Sequence, residues 1–338
     1  MHAGEPSPPP DAAEATPPRL FKKLIAEDAP VTRRSTALFR FGEQCNNHCP
    51  MCSNTGEASL FFHATDELLR RADFLHAAGF ARVVVTGGEA TIHPGFWRII
   101  ERLHGYGMAW DTNTHGRSFS QPGFARRAVD AGLERAIVSL HSHDAATSAA
   151  IFGASETAHH ETVAGIERLV EVGVEMMVNC VLSRLNLSQL EDYLDFACAR
   201  FGRGVSFKFV FPSTIGKGGQ WPEIAALRYR DVHDAVQRLR AQAVRLQAHV
   251  LFESFPNCVV GDPAARNLGR SGFGETHYLD DASGDRVYAM RHIEAELSAY
   301  GPQCRSCAAV KRCPGIAHAY ATRYGIDELV PFDPPATE

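Results

Sequence analysis

Three cysteines near the start of the chain, Cys45, Cys49 and Cys52, lie within eight residues of one another. Cysteine thiolates bind iron in iron–sulfur clusters and also hold zinc. Three thiolates can each bind one iron of a four-iron cube and leave the fourth iron open for chemistry. A zinc site would need a fourth ligand such as His48, and buried unligated cysteines seldom come three in so short a segment. An iron–sulfur cluster is the favoured interpretation, and zinc stays open as an alternative.

A second group of cysteines lies toward the other end of the chain. Cys304, Cys307 and Cys313 fall within ten residues, and Cys258 could supply a fourth ligand from farther upstream. Four protein thiolates close an iron–sulfur cube, so this cluster would carry electrons or stabilise the fold. A four-cysteine zinc site uses the same ligands and is the alternative here.

The C-x3-C-x2-C spacing of Cys45, Cys49 and Cys52 resembles the hallmark of the radical S-adenosylmethionine (SAM) superfamily. In that family the amino and carboxylate groups of SAM chelate the open iron, and one-electron reduction splits SAM into methionine and a 5′-deoxyadenosyl radical. The resemblance implies a SAM-binding [4Fe-4S] cluster at these cysteines, SAM as a further cofactor, and an electron donor such as flavodoxin or ferredoxin.

Two more segments resemble motifs of this family in the expected order. Gly87, Gly88 and Glu89 resemble its Gly-Gly-Glu element, in which the glycines allow close backbone approach and the acid receives the positively charged amino group of SAM. By itself such a triplet would be an ordinary loop. Asn113 lies in a Thr-Asn-Thr-His-Gly stretch that departs from the family's Thr-Asn-Gly, and the resemblance implies a SAM contact at this residue too.

Two later strands complete the resemblance. Ser139 occupies the place of the serine that faces SAM in this family. Asn179 and Arg184 occupy the places of an asparagine and an arginine that reach the ribose or the carboxylate of SAM. Without the family context, Ser139 and Asn179 would be side chains that satisfy nearby backbone groups, as is common at strand ends.

The C-terminal cysteines resemble the auxiliary-cluster modules called SPASM and, in a shorter form, twitch. Ala317 stands where a further cysteine of a full module would be, so one auxiliary [4Fe-4S] cluster is expected. Residues 45–186 resemble the radical SAM enzymes of molybdopterin biosynthesis and coenzyme maturation. The molybdopterin enzyme has a wider auxiliary spacing and a C-terminal Gly-Gly, whereas this sequence ends Pro-Pro-Ala-Thr-Glu, so that reaction is not expected.

The resemblance implies an enzyme of oxidoreductase or transferase type that abstracts hydrogen from a substrate. Many members with an auxiliary cluster modify ribosomal peptides by crosslinking, epimerisation or oxidation, so a peptide is the leading substrate hypothesis. A proline-rich tail precedes the first strand in place of a leader-binding domain, which keeps a small metabolite or nucleotide as the alternative. A non-enzymatic zinc-binding protein is the alternative of another class.

The strands and helices that carry these residues are predicted from the pattern of apolar residues. From Thr36 onward, short apolar runs alternate with amphipathic stretches, which predicts strand–helix units around a mostly parallel sheet. The predicted strands are Ala37–Phe41, Arg82–Thr86, Ala109–Thr112, Ala136–Leu140, Glu175–Leu182 and Val205–Phe211. The predicted helices between them are 66–78, 95–104, 124–131, 161–172 and 187–201. Six strands predict an α/β fold with a partial (β/α)6 barrel, and the cysteine loop would lie at its functional carboxyl edge.

The domain organisation follows from changes in composition. Residues 1–20 are rich in Pro, Ala and Glu and predict a disordered tail, residues 21–248 the barrel, and residues 249–338 a small cysteine-rich module with a hairpin at 277–290. Within the barrel, the glycine-rich segment 216–219 predicts a mobile loop. This loop follows the sixth strand, so Lys217 and Trp221 are candidates for contact with substrate.

Composition limits the partners and the compartment. With 45% hydrophobic residues and a net charge of -5, the chain has no general attraction for nucleic acid or anionic lipid. No apolar run is long enough to span a bilayer and no secretory signal is present, so a cytoplasmic protein is expected. Nine cysteines in groups indicate metal ligation in a reducing compartment, while Cys180 and Cys198 are predicted to be core thiols.

Overall fold

The computed structural model describes five segments of the chain, and the account of the fold rests on them. These segments are residues 31–32, 34–53, 61–265, 275–290 and 297–333. The tail predicted to be disordered, residues 1–20, lies outside the described residues, as does the C-terminal end from residue 334.

Within the described residues, nine strands form one sheet in the order β7-β6-β5-β4-β3-β2-β1-β8-β9. All neighbouring strands are parallel except β8 and β9, which are antiparallel. The strands are β1 (Thr36–Arg40), β2 (Arg82–Thr86), β3 (Ala109–Thr114), β4 (Leu133–Ser139), β5 (Glu175–Val181), β6 (Ser206–Val210), β7 (His249–Glu253), β8 (Thr276–Leu279) and β9 (Val287–Ala289). The predicted α/β fold with a partial barrel is confirmed.

Helices connect successive strands of the parallel sheet, and one further helix, α9, follows β11 (Ile316–Ala317) near the end of the described residues. They are α1 (Thr65–Ala77), α2 (Phe96–Gly105), α3 (Phe124–Asp130), α4 (Ala145–Phe152), α5 (Glu156–Glu171), α6 (Leu190–Phe201), α7 (Tyr229–Leu246), α8 (Asn257–Val260) and α9 (His318–Tyr324). Sequence analysis missed α4, which is rich in alanine and begins where the Asp144 carboxylate accepts a hydrogen bond from the Thr147 amide at 2.7 Å. Of the helices in the described segments, none combines the length and apolar character needed to cross a membrane.

The two faces of the sheet differ in polarity, because successive residues of each strand point to opposite faces. Val85 of β2 and Val138 of β4 are fully buried in the core that also contains residues of the surrounding helices. The intervening positions lie on the opposite face, where Ser139 of β4 pairs with Asn179 of β5, and Asn179 pairs with Lys208 of β6. Polar side chains therefore follow one another across the inner face of the barrel, near the carboxyl ends of the strands.

The sheet extends beyond the sequence boundary placed at residue 249. β7 pairs with β6, and β8 pairs with β1, so strands assigned to the appended module share the sheet of the barrel. The predicted hairpin at 277–290 is present as β8 and β9. Downstream of it, β10 (Ser298–Ala299) and β11 (Ile316–Ala317) form a separate antiparallel pair in the cysteine-rich segment.

Candidate functional site

The three early cysteines lie on the loop that follows β1, at the carboxyl edge of the sheet. Burial raises the pKa of Cys45 to about 11, with further increases from nearby Glu89 and Cys52. Burial, followed by the proximity of Cys52 and Cys45, raises the pKa of Cys49 to about 12. The three sulfur atoms are thus near enough to influence one another, and the raised pKa values of Cys45 and Cys49 favour their protonated thiols when no metal is bound. A bound metal reverses this preference, because cluster irons require thiolates.

The second strand supports the cysteine loop through Gly88 and Glu89. The Gly88 amide donates to the Gly42 carbonyl at 2.9 Å, and the Glu89 amide donates to the Gln44 carbonyl at 2.8 Å. A Cβ atom at Gly88 would overlap the carbonyl oxygens of Glu43 and Gln44. Residue 88 must be glycine for the β2 end and the cysteine loop to approach so closely.

Replacing Gly88 with alanine is expected to displace the cysteine loop and lower the iron bound by the early cysteines. The obstructing atoms are backbone oxygens, so relief requires a shift of the chain, at a cost of about 1–3 kcal/mol in stability. Iron analysis after anaerobic reconstitution, together with thermal unfolding, measures both effects. Gly105→Ala in α2 is the matched control, because a Cβ atom there would meet no neighbouring element within 4 Å. Equal iron retention in the two variants would contradict the proposed constraint.

The carboxylate of Glu89 is almost fully buried at 1% exposure and is surrounded by donors from this chain. Thr91 donates through its amide at 3.2 Å and its hydroxyl at 2.5 Å, the Thr114 hydroxyl lies 2.9 Å from both carboxylate oxygens, and the His115 amide donates at 2.9 Å. Glu89 therefore joins the ends of β2 and β3. The contact with the SAM amino group that the resemblance implies stays a prediction.

Two asparagine side chains on β3 and β5 have a different environment. The Oδ1 atoms of Asn113 on β3 and Asn179 on β5 are buried, and neither has a hydrogen-bond partner among the described residues. Buried polar atoms are nearly always paired, so these oxygens indicate a place for a polar ligand. Ser139, on the intervening strand β4, pairs in register with Asn179. These inner-face groups lie toward the same carboxyl edge of the sheet as the loop of three thiols, and their chemistry fits a cluster with bound SAM.

Asn179→Ala is expected to weaken SAM binding roughly 2- to 10-fold, the size of one net hydrogen bond, with little effect on stability. Asn186 provides the contrast within the same segment. Its amide donates to the carbonyls of His141 and Val181 at 2.8 and 2.9 Å, and its Oδ1 accepts from the Ser183 amide at 2.7 Å. Asn186→Ala should therefore cost about 1–3 kcal/mol of stability. Equilibrium SAM binding and thermal unfolding of both variants test the distinction, and unchanged SAM affinity in Asn179→Ala would refute it.

Arg184 has partners within the chain. Its side chain is exposed at the surface, and its guanidinium donates to the carbonyls of Glu223 at 3.2 Å and Ala226 at 2.7 Å. These bonds hold a short 3-10 turn against the loop that follows β5. The SAM contact predicted for Arg184 would require this side chain to exchange its present partners.

The glycine-rich loop after β6 docks on the cysteine loop. The Gly218 amide donates to the Cys52 carbonyl at 3.1 Å. A Cβ at Gly218 would overlap the Ser213 carbonyl oxygen and lie 3.2 Å from that of Met51. Lys217 is close enough to Cys49 to oppose the rise in the pKa of that thiol. The segment predicted as a mobile loop thus contacts the loop that carries the early cysteines.

The later cysteines converge at a second place. Four thiols from two separate segments line one cavity, and apolar side chains occupy much of the rest of its wall. The cysteines are Cys258, Cys304, Cys307 and Cys313, and the apolar neighbours include Pro256, Ala299, Ala309, Val310 and Leu329. Cys258 lies on α8, whereas the other three belong to the segment between β10 and β11. The pairing of Cys258 with the distant cysteines is the arrangement that the sequence suggested.

Backbone amides point at the sulfur atoms of this second group. The amides of Asn257 and Gly315 each lie 3.4 Å from the Cys313 sulfur, and the Phe332 amide lies 3.4 Å from the Cys307 sulfur. Amide hydrogen bonds to cysteine sulfur stabilise thiolates and tune the potential of iron–sulfur clusters. The donor set therefore fits a closed cluster.

Across the residues that the structure describes, no group of three or more His, Cys, Asp or Glu side chains is placed to hold a single metal ion.

Residues 39–197 match the family model described as the Radical SAM superfamily. A probable GTP 3',8-cyclase of Sulfurisphaera tokodaii is 31% identical over 156 residues, 45% of this chain and 49% of the relative. Molybdenum cofactor biosynthesis protein 1 of Mus musculus is 28% identical over 208 residues, 58% of this chain and 31% of the relative. The matches thus span about a third to a half of these curated relatives.

Two solved structures share the fold at low sequence identity. Streptococcus suis SuiB bound to precursor peptide SuiA has a TM-score of 0.60 at 12% identity, covering 94% of this chain and 77% of that chain. Native anSMEcpe with bound AdoMet has a TM-score of 0.59 at 11% identity, covering 88% of this chain and 92% of that chain. Residues 39–197 thus match the Radical SAM superfamily model, and the parallel sheet of this chain shares its fold with these two structures.

Proposed function

We propose that this chain is a radical SAM enzyme in which Cys45, Cys49 and Cys52 hold a [4Fe-4S] cluster and SAM binds its open iron. One observation carries the proposal. The three thiols share the carboxyl edge of the sheet with the unpartnered, buried oxygens of Asn113 and Asn179 on its inner face. Soft ligands for a cluster and polar atoms for a cofactor thus occur in one site.

When bound, the cluster and SAM supply reductive cleavage of SAM to methionine and a 5′-deoxyadenosyl radical, which takes a hydrogen atom from substrate. The chain's own residues would place these groups and exclude water. Gly87 and Gly88 allow the β2 end to approach the cysteine loop, while Asn113, Ser139 and Asn179 would contact SAM. The Glu89 carboxylate would bind the amino group of SAM. Alternatively, its hydrogen bonds with Thr114 and His115 would hold the ends of β2 and β3 in the conformation that the site requires.

The second group of cysteines supports a proposal of one auxiliary [4Fe-4S] cluster in a SPASM- or twitch-like module. Cys258, Cys304, Cys307 and Cys313 would fill all four iron positions, so this cluster would transfer electrons or stabilise the module. The shared cavity and the hydrogen bonds from backbone amides to the Cys313 and Cys307 sulfur atoms support this ligation. Zinc is the competing occupant, and metal analysis separates the two.

A ribosomal peptide is our leading substrate proposal, with crosslinking, epimerisation or oxidation as the class of reaction. Its support is the resemblance to auxiliary-cluster enzymes. The similarity to GTP 3',8-cyclases over about half of the chain specifically favours a nucleotide as the second candidate. A flavodoxin or ferredoxin would supply the electron, and the thiol-rich sites suit a reducing compartment such as the cytoplasm.

The proposed function is tested with anaerobically reconstituted, chemically reduced protein. We expect it to release 5′-deoxyadenosine from SAM, as measured by chromatography and mass spectrometry. GTP and peptides encoded by neighbouring genes are then added separately. A mass change in a peptide supports the leading substrate, and a cyclised GTP product supports the second. Protein that holds iron at full occupancy but leaves SAM intact under reducing conditions would overturn the proposed chemistry.

A further inference from the structure

The loop that follows β3 touches the cysteine loop through two side chains. The His115 Nε2 atom lies 2.6 Å from the Asn46 Oδ1 atom. The Arg117 guanidinium lies 3.2 Å from the Asn46 carbonyl oxygen and 3.1 Å from the Asn47 Oδ1 atom. Asn46 and Asn47 directly follow Cys45, and the Asn47 amide donates to the Cys45 sulfur at 3.3 Å. Both contacts therefore act next to the first of the early cysteines.

The hydrogen bonds of His115 fix which ring nitrogen carries the proton. The Arg117 amide donates to Nδ1 at 3.2 Å, so Nδ1 accepts and the proton lies on Nε2. Nε2 then donates to the Asn46 amide oxygen, with the Glu89 carboxylate 3.3 Å away on the same side. A chain of polar contacts, buried at Glu89 and His115, thus runs from the Gly-Gly-Glu element to the cysteine loop.

The loop is itself held in place by helix α5. The Arg117 Nε atom donates to the Glu161 carboxylate at 2.6 Å, and the Thr162 hydroxyl donates to the His115 carbonyl at 2.8 Å. Gly165 allows this contact, because a Cβ there would overlap the Gly116 carbonyl oxygen. The loop after β3 therefore contacts α5 on one side and the cysteine loop on the other. Its contacts with the helix restrict the positions of the residues beside Cys45.

We propose that His115 and Arg117 are positioning residues that hold the Asn46–Asn47 segment in the conformation that captures and retains the catalytic cluster. This inference rests on the proposed function of the early cysteines. The two residues lie where the sequence departs from the family's Thr-Asn-Gly, and we call them and their contacts with Asn46 and Asn47 the clamp. They touch no reacting atom. Their effect is on the geometry and lifetime of the site.

The test compares four reconstituted single variants with the wild-type protein, and a rescue variant and a double variant complete it. His115→Ala and Asn46→Ala each remove one side of the hydrogen bond. Arg117→Lys keeps the charge but has one nitrogen in place of the two, Nε and Nη1, that bind Glu161 and the asparagine oxygens at the same time. Arg200→Ala is the matched control, since Arg200 also pairs with a glutamate of α5, Glu167, but lies on α6. The readouts are the rate of iron loss to a chelator and the electron paramagnetic resonance signal that changes when SAM is added.

The three clamp variants should lose the SAM-responsive cluster about 10- to 100-fold faster than the wild type, the range found when partners of metal ligands are removed. Arg200→Ala should match the wild type. His115→Gln should restore part of the lifetime, because its amide can donate to Asn46 and accept from Arg117. Iron loss from the later cluster should stay at the wild-type rate in all of these variants, and the effects of His115→Ala and Asn46→Ala should not be additive in the double variant.

Wild-type rates in all three clamp variants would overturn the inference. Equal acceleration of iron loss from both clusters, with a lowered melting temperature of the metal-free protein, would also overturn it, since that pattern means general destabilisation. Failure of the proposed function is distinguishable. In that case the wild-type protein itself would release no 5′-deoxyadenosine or show no SAM-responsive signal, whatever the variants do.

Discussion

Cys49→Ala is expected to abolish release of 5′-deoxyadenosine and to lower bound iron from about eight to about four atoms per chain, the difference of one four-iron cube. Cys45 and Cys49 are both half-buried, and burial raises their pKa values to about 11 and about 12. Two remaining thiolates cannot hold three corners of a cube, so SAM would have no open iron beside its binding groups. Iron analysis and product chromatography on the same preparation measure both effects.

Cys198→Ala is the matched control for this prediction. Cys198 is a half-buried cysteine of α6, away from both groups of cysteines in the sequence. It should retain full iron content and full activity. If Cys49→Ala released as much 5′-deoxyadenosine as Cys198→Ala, the early loop would not be the site of SAM cleavage.

Cys313→Ala has the second largest expected effect, a loss of about four irons from the later site while the SAM-responsive signal remains. Its sulfur accepts hydrogen bonds from the backbone amides of Asn257 and Gly315, and the bond from Asn257 links the two segments that form the cavity. Because a metal that binds the folded state adds to stability, the free energy of unfolding should fall by on the order of a few kcal/mol. Iron analysis, magnetic resonance and thermal unfolding of the reconstituted protein check these results.

Metal analysis of the wild-type protein is the companion measurement for this site. If the wild-type protein holds zinc at the later cysteines and iron only at the early ones, the later site is a zinc site and not an auxiliary cluster. The proposal for the early cluster is unaffected by that result. Unchanged iron content in Cys313→Ala would show that the four later cysteines are not joint ligands.

The order of the strands was predictable from the sequence because apolar runs and glycine-bounded helices alternate so regularly. The predicted strand Arg82–Thr86 has the observed bounds. The end of the first strand located the early cysteines at the carboxyl edge, as the repeated strand–helix pattern requires. Local patterns were sufficient here, since a parallel sheet with helical connections leaves few topologies.

Pairing between distant segments was not predictable in the same way. His249–Glu253 was assigned to a separate module because a long helix precedes it, yet it continues the sheet beside β6. Likewise, Thr276–Leu279 pairs with β1 across a long interval of sequence. Pattern alone shows that such segments are extended, and their partners depend on the free edges that the rest of the sheet leaves open.

The candidate site shows a similar division. Cysteine spacing identified the early loop, but the residues that organise it, His115 and Arg117, have no distinctive spacing. The signal that could have found them is the departure from Thr-Asn-Gly that follows Asn113. The hydrogen-bond donors around the Glu89 carboxylate were not predictable either. Thr91 and Thr114 reach it only because the ends of β2 and β3 lie side by side in the folded sheet.

Electron–nuclear double resonance on the reduced, reconstituted protein is the most direct test of the central claim. SAM labelled with ¹⁷O in its carboxylate or ¹⁵N in its amino group is added, and the spectrum is compared with that of unlabelled SAM. Coordination at the iron that the three cysteines leave open predicts a hyperfine coupling from both labels, and Cys49→Ala should lack it. Tight binding of labelled SAM without any coupling to a cluster would contradict the claim.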